Sequence, residues 1–219
     1  MTIKKTSNVE LKKDHFRVSI FCSARVNKGD PIYKQVYNLA KELGNRNIDV
    51  VTGGGPGLME AANRGHRDRD NKNNSNSIGL AINLPKEQKI NHSLDIVKIF
   101  DRFSNRLDNF MLLSNAVIIA PGGVGSTLEF FYTWQLVQTN KICSIPIIFL
   151  GDMWKGLIEW VEKYPLKRGY LERQDLKYIF VAKNYKQAIK IVDTFHKEFL
   201  ERKEKGLKVC RNNIKYRLY

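Results

Sequence analysis

Two glycine-rich runs carry the residue types best suited to chemistry in this chain. The first is Gly53-Gly54-Gly55-Pro56-Gly57. The second is Pro121-Gly122-Gly123-Val124-Gly125-Ser126-Thr127. Each follows a short apolar run and opens a stretch of helical pattern. A helix N-terminus leaves backbone N–H groups without partners and carries a partial positive charge. Glycine lets the main chain come close to an anion held there. One such turn is often no more than tight packing of a strand against a helix. Two of them at one sheet edge point to an anionic ligand, with a phosphate as the expected group. Neither run is a Walker motif, since no Gly-Lys-Ser/Thr follows. Neither has the G-x-G-x-x-G spacing of a dinucleotide fingerprint, and no ribose-binding acid ends the next strand.

Several polar side chains stand near these runs. Ser126 and Glu129 have the spacing of a capping box, in which each satisfies the other's backbone amide. A carboxylate at that place could instead touch a sugar or stabilise positive charge. Arg106 lies one helical turn after Arg102, so the pair reads as a solvated basic stripe or as an anion contact. Glu60 falls in the first turn of the helix after the first run, favourable to the helix dipole; ribose contact is the alternative. Ser23 and Arg25 follow the first strand at the same edge. Gln88 and Asn91 follow the third strand and are candidates for touching a base. His15, His66, His92 and His196 have no metal-ligand spacing. Phe130, Phe131 and Trp134 share the helix after the second run, where core or dimer packing outweighs base stacking.

The elements that must hold these residues alternate. Short β-rich runs at 17–22, 49–52, 78–84, 96–100, 116–120, 145–150 and 178–182 read as strands. Helical patterns fall at 32–43, after Gly57, at 102–113, from the second glycine run through Val137, at 152–163, and from Asn184 onward. Strand 116–120 is continuously apolar, as a strand covered on both faces must be. The predicted class is α/β: a single Rossmann-like, doubly wound parallel sheet with helices on both faces. Ligands in such sheets sit outside the carboxyl ends of the strands, where both glycine runs fall.

These residues resemble a known family. Phe21-Cys22-Ser23-Ala24-Arg25, residues 52–65 (TGGGPGLMEAANRG), Ser77-Ile78-Gly79-Leu80, residues 84–88 (LPKEQ), residues 121–129 (PGGVGSTLE) and residues 136–141 (LVQTNK) are similar to the motifs of the LOG (LONELY GUY) family, whose members are often labelled lysine decarboxylases. The resemblance spans roughly residues 18–195. It implies an N-glycosidase that splits a nucleoside 5′-monophosphate, such as AMP or a cytokinin riboside monophosphate, into free base and ribose 5-phosphate. It implies Arg106 and Glu129 as catalytic residues. Gly53, Gly54, Gly55, Gly57, Gly122, Gly123, Val124, Gly125, Ser126, Thr127, Ser23, Arg25 and Glu60 would then bind substrate or phosphate. Ser126 stands where the family has threonine and keeps the hydroxyl; Leu107 stands where it usually has lysine. No cofactor and no metal is implied, and a homodimer is. The alternative is a non-catalytic carrier of a nucleotide or phosphorylated cofactor on the same fold, which Leu107 favours. Lysine decarboxylation itself is a poor reading. It needs a lysine Schiff base to pyridoxal phosphate, and His196-Lys197 lies far from either glycine run.

Length and composition set the outer bounds. At 219 residues, with 42% hydrophobic and 27% charged, the chain reads as one large globular domain. No run approaches the roughly 18 apolar residues of a membrane helix, and residues 1–16 lack the apolar core of a signal peptide. The net charge is +15, and the two ends, residues 1–17 and 202–219, hold nine of those fifteen. The division expected is a basic polar arm at 1–16, the nucleotide-binding domain at 17–201 and a basic tail at 202–219. A basic field attracts nucleotides or nucleic acids. The tail lacks the regular aromatic interleaving of a single-strand platform, so nucleic acid is not the expected partner. Cys22, Cys143 and Cys210 are an odd, widely spaced set, which argues against a disulfide framework; Cys22 and Cys143 read as small buried hydrophobes, and the expected compartment is a reducing cytoplasm.

Overall fold

A computed structural model describes residues 4–5, 15–71, 74–83 and 89–207. Among the described residues eight parallel strands form one sheet. In chain order they are β1 (Lys4–Lys5), β2 (Arg17–Phe21), β3 (Asp49–Thr52), β4 (Ser77–Ile82), β5 (Ile96–Phe100), β6 (Ala116–Ile119), β7 (Ile147–Leu150) and β8 (Ile179–Ala182). The α-helices among the described residues are six: α1 (Pro31–Asn45), α2 (Leu58–Arg67), α3 (Phe103–Leu113), α4 (Val124–Gln138), α5 (Lys155–Val161) and, after the last strand, α6 (Tyr185–Glu204). The spatial order is β1-β5-β4-β3-β2-β6-β7-β8. The chain winds outward in one direction from β2 to β5, then returns to the other side of β2 with β6. The strand order therefore reverses between β2 and β6, where a parallel sheet opens a crevice.

Strand side chains alternate between two cores, as the two-residue period of a strand requires. Val18, Ile20, Val50, Ile118 and Ile148 face α1, α2 and α6. Phe21, Val51, Val117, Ile119, Ile147 and Phe149 face the other layer, with Phe110 and Met111 of α3 and Phe130 and Trp134 of α4. The sheet is thus apolar on both faces. Local signals set the helix ends. Asp30 accepts from the Ile32 amide at 2.9 Å and Pro31 fills the first turn of α1. Asn184 accepts from the Gln187 amide at 3.1 Å and opens α6. His66 is buried, and its Nε2–H donates to the Ile48 carbonyl at 3.0 Å. Burial holds its imidazole down, at a pKa of about 4, so it is a neutral core residue.

Three expectations need correction. The polar arm contributes a strand, since Lys4 and Lys5 pair with Ile96 and Val97 at the edge of the sheet. The helix expected over 152–163 is three pieces: a 3-10 turn at Asp152–Trp154, then α5, then a π turn at Glu162–Leu166 that contains Pro165. Proline has no N–H for the regular ladder, which accounts for the changed winding. Finally, Cys143 is disulfide-bonded while Cys22 is a free thiol; an odd number of cysteines leaves one thiol over but does not forbid a bridge. Residues 84–88, and Gln88 with them, lie outside the described residues, as do 208–219.

Candidate functional site

The first glycine loop, between β3 and α2, is built mostly inward. Gly54 and Gly57 have φ of +72° and +68°, a region that strains any other residue. A Cβ on Gly57 would lie 2.6 Å from the Ala24 carbonyl carbon, so the loop presses on the chain leaving β2. The Leu58 amide donates to the Ser23 carbonyl at 2.9 Å. A buried polar network holds the loop from beneath. Thr52 Oγ1 accepts from the Gly54 amide at 3.0 Å and donates to Asn63 Oδ1 at 2.9 Å. Asn63 Nδ2 donates to Ser77 Oγ at 2.9 Å. Asn91 Nδ2 lies 3.1 Å from the Gly54 carbonyl, 2.9 Å from that of Gly55 and 2.9 Å from Asn63 Oδ1. Asn91 therefore supports the loop and does not point at a base. Gly54 and Leu58, with partners of their own, offer no amide to an anion.

The second loop opens outward. The backbone leaving β2 is tied to it by the Ser23 amide, which donates to the Pro121 carbonyl at 3.0 Å. Helix α4 starts at Val124 with Gly123 at its N-cap and no side-chain cap. The Thr127 amide donates to the Gly123 carbonyl at 3.1 Å, so Val124, Gly125 and Ser126 are the first-turn residues whose amides precede the helical ladder. Gly123 and Gly125 are exposed and Val124 is 88% exposed. Ser126 is buried, and a Cβ on Gly122 would fall 2.1 Å from its Oγ. Thr127 Oγ1 donates to the Gly123 carbonyl at 3.1 Å.

The early start of α4 removes the capping box. Ser126 is the third helical residue and Glu129 the sixth, so Glu129 is a turn too deep to cap. Its carboxylate instead meets Arg106, with Nη1 donating to Oε1 at 3.1 Å. Arg106 also donates from Nε to the Leu80 carbonyl at 2.7 Å and sits 4.9 Å from the Phe110 ring centroid. A Cβ on Gly53 would come within 2.5 Å of Nη2. Arg106 leaves the expected basic stripe: Arg102 is exposed, while the Arg106 side chain is 12% accessible and that of Glu129 10%. The first loop, α3 and α4 thus meet at one buried ion pair beside the β2–β6 crevice.

Burial pushes the Glu129 carboxyl up, from 4.5 to about 7, against the opposing pull of Arg106. The thiol of Cys22 is raised, first by burial and then by the charge of Glu129. A carboxyl that titrates near neutrality can exchange a proton or hold charge at working pH. If the anion is the working form, kcat/KM rises with pH through about 7, and a pH–rate profile checks this. Stability moves the other way. The raised carboxyl contributes most below its unfolded value, and that contribution is lost as pH rises through 7.

The remaining expected residues are more peripheral. Glu60 pairs with Lys28 at 3.0 Å, with Lys28 largely exposed. Ser23 Oγ accepts from the Arg25 amide at 3.1 Å, and the Arg25 side chain is exposed at the rim. Leu107 is buried, turned into the protein. Sequence reading overlooked the roles of Thr52, whose signal was a hydroxyl at the end of an apolar strand, and of Asn63, which nothing local in α2 singles out, and the approach of Cys22 to Glu129.

A family profile described as "possible lysine decarboxylase" matches residues 59–192. The chain belongs to this family. The pyrimidine/purine nucleotide 5′-monophosphate nucleosidase of Escherichia coli K12 is 29% identical over 148 residues, covering 62% of this chain and 32% of its own length. The chain thus spans about a third of that relative. The cytokinin riboside 5′-monophosphate phosphoribohydrolase LOG7 of Arabidopsis thaliana is 23% identical over 200 residues, covering 88% of each protein. Among solved structures, the molybdenum cofactor carrier protein of Chlamydomonas reinhardtii superposes with a TM-score of 0.60 at 18% identity, over 83% of this chain and 98% of its own. The molybdenum cofactor binding protein of Rippkaea orientalis superposes at 0.61 and 17%, over 82% and 96%. These two show the fold. No helix among the described residues is long and apolar enough to cross a membrane.

Proposed function

We propose that this LOG-family protein hydrolyses the N-glycosidic bond of a nucleoside 5′-monophosphate such as AMP. The observation that carries the reading is the buried Arg106–Glu129 pair set between the two glycine loops. The 5′-phosphate docks on the outward first-turn amides of α4, where the helix dipole favours an anion. The ribose then reaches Glu129. As the C1′–N bond breaks, its electron pair leaves with the base and C1′ gains positive character. The Glu129 carboxylate stabilises that charge, as carboxylates do in glycoside hydrolysis. Water adds to C1′, a proton passes to the base, and free base and ribose 5-phosphate result. Arg106, always charged, orients the carboxylate and offers its remaining donors to substrate.

The direct test is to incubate pure protein with a panel of nucleoside monophosphates and follow free base. Release from at least one nucleotide is expected. Arg106→Ala is expected to lower kcat/KM about 10²- to 10³-fold, with Arg106→Lys failing to restore it because lysine cannot keep the contacts to Glu129 and Leu80 at once. Leu107 in the usual lysine place supports a second reading, a carrier that binds without turnover. Measurable binding with no base release from any nucleotide would select it.

We also propose a homodimer through α4. Val124, Leu128 and Phe131 repeat at helical spacing along its outer side and are 88%, 48% and 37% exposed, an apolar stripe unusual for a free surface. Sedimentation is expected to show a dimer at micromolar concentration, and Leu128→Glu a monomer.

A further inference from the structure

Helices α3 and α4 are joined twice. The first link is the Arg106–Glu129 ion pair, at 3.1 Å. The second has no part in the proposed hydrolysis: the Tyr132 hydroxyl of α4 donates to Asp108 Oδ1 of α3. Asp108 is buried, on a helix that otherwise buries Leu107, Phe110 and Met111. A carboxyl among apolar neighbours is costly unless a donor holds it, and the Tyr132 hydroxyl is such a donor.

Three observations give this bond a task. First, the two links run side by side. Asp108 lies two residues beyond Arg106, about 3 Å further along α3. Tyr132 lies three residues beyond Glu129, about 4.5 Å further along α4. A slide or separation of one helix against the other therefore strains both links. Second, the core contacts of α3 set its depth more than its register. Phe110 and Met111 pack into the apolar layer, and such burial is non-directional, whereas a hydrogen bond has a preferred length and angle. Third, Arg106 reaches Glu129 from a crowded place. Its Nε donates to the Leu80 carbonyl at 2.7 Å, and the Phe110 ring centroid lies 4.9 Å away. Holding Leu80 and Glu129 at once leaves the guanidinium little slack to follow a shift of α3.

We propose that the Asp108–Tyr132 hydrogen bond is a positioning clasp, holding α3 against α4 so that Arg106 keeps its contact with Glu129. The consequence for turnover rests on the hydrolysis proposed above; the geometry does not. The groups set against the Glu129 carboxyl are Arg106 from α3 and the Cys22 thiol just past β2. Arg106 holds that carboxyl down against the effect of burial, so loosening the clasp lets it rise. The experiment is a titration of Glu129 by carbon-13 NMR of protein labelled at the glutamate carboxyls, with Glu129→Gln identifying its signal. Tyr132→Phe and Asp108→Ala are each expected to raise the Glu129 midpoint, near 7 in the wild type, by about half to one pH unit. Loss of the Asp108 charge by itself could only lower it. Asp108→Asn keeps an oxygen for the Tyr132 hydroxyl and is expected to hold the midpoint near its wild-type value. In base release the rising limb of kcat/KM moves with the midpoint, a loss of about three- to five-fold at pH 7 that Asp108→Asn escapes. A wild type that releases no base, with the midpoints still displaced in the two variants, would sink the hydrolysis and leave the clasp standing. An unmoved Glu129 midpoint in Tyr132→Phe and Asp108→Ala, with only the thermal midpoint lowered, would make the bond a plain stability contact and overturn the proposal. Asp108→Asn displaced as far as Asp108→Ala would overturn it as well.

Discussion

Glu129→Gln is expected to abolish most base release from AMP, lowering kcat about 10³-fold while leaving the fold and KM nearly unchanged. The substitution keeps the shape of the side chain and a carbonyl oxygen for Arg106. It removes only the charge, which in the proposed hydrolysis is what the electron-poor C1′ requires in the transition state. An interaction made mainly there shows in kcat and not in KM. Two further readouts sharpen the result. The rise of kcat/KM through about pH 7 should vanish with the group that titrates there. The thermal midpoint should hold or rise above that pH, since a neutral amide in the same buried place no longer bears the cost of an ionised carboxylate. Wild-type turnover in Glu129→Gln would remove this residue from the chemistry and leave the fold untouched.

The largest effect on stability is expected far from the ion pair, at Gly65. This glycine sits inside α2 where that helix crosses α1. A Cβ there would lie 2.0 Å from the Tyr37 carbonyl oxygen, 2.8 Å from its carbon and 3.0 Å from Tyr37 Cα. All three are backbone atoms, so no rotamer can make room and the helices must separate. Gly65→Ala gains about 1 kcal/mol in helix propensity and still loses about 3 kcal/mol overall, from overpacking and the gaps that follow. Gly156 in α5 is the control: it is exposed and nothing lies within 4 Å of its added Cβ. Gly156→Ala is expected to stabilise by about 0.5–1 kcal/mol. Denaturant midpoints that move together in the two variants would contradict the close crossing of α1 and α2.

The sequence made the sheet legible because its central strands are short, apolar runs between helical patterns, and burial on both faces leaves no other reading for residues such as 116–119. The edge was not legible. Lys4 and Lys5 pair with Ile96 and Val97 and carry no apolar signal in the sequence. The glycine loops were found, but not their difference in character. Which loop turns inward depends on Asn63 and Asn91, residues that meet only after folding. Glu129 shows the same limit. Its spacing from Ser126 matched a local cap, and the matter was decided by a helix starting three residues earlier and an arginine 23 positions back on another helix. Local pattern reports what neighbours along the chain can do; it says nothing of a partner brought in by the fold.

The strand order bears on how the molecule is made. β2 is the first central strand to leave the ribosome, yet one of its two neighbours, β6, begins only at Ala116. The edge pairing of Lys4 and Lys5 must likewise wait for Ile96. Until Ala116 and the residues after it have been synthesised, the flank of β2 that β6 will cover has no strand beside it. The crevice between β2 and β6 therefore cannot exist before that point, and until then an apolar strand edge stays open to wrong pairing.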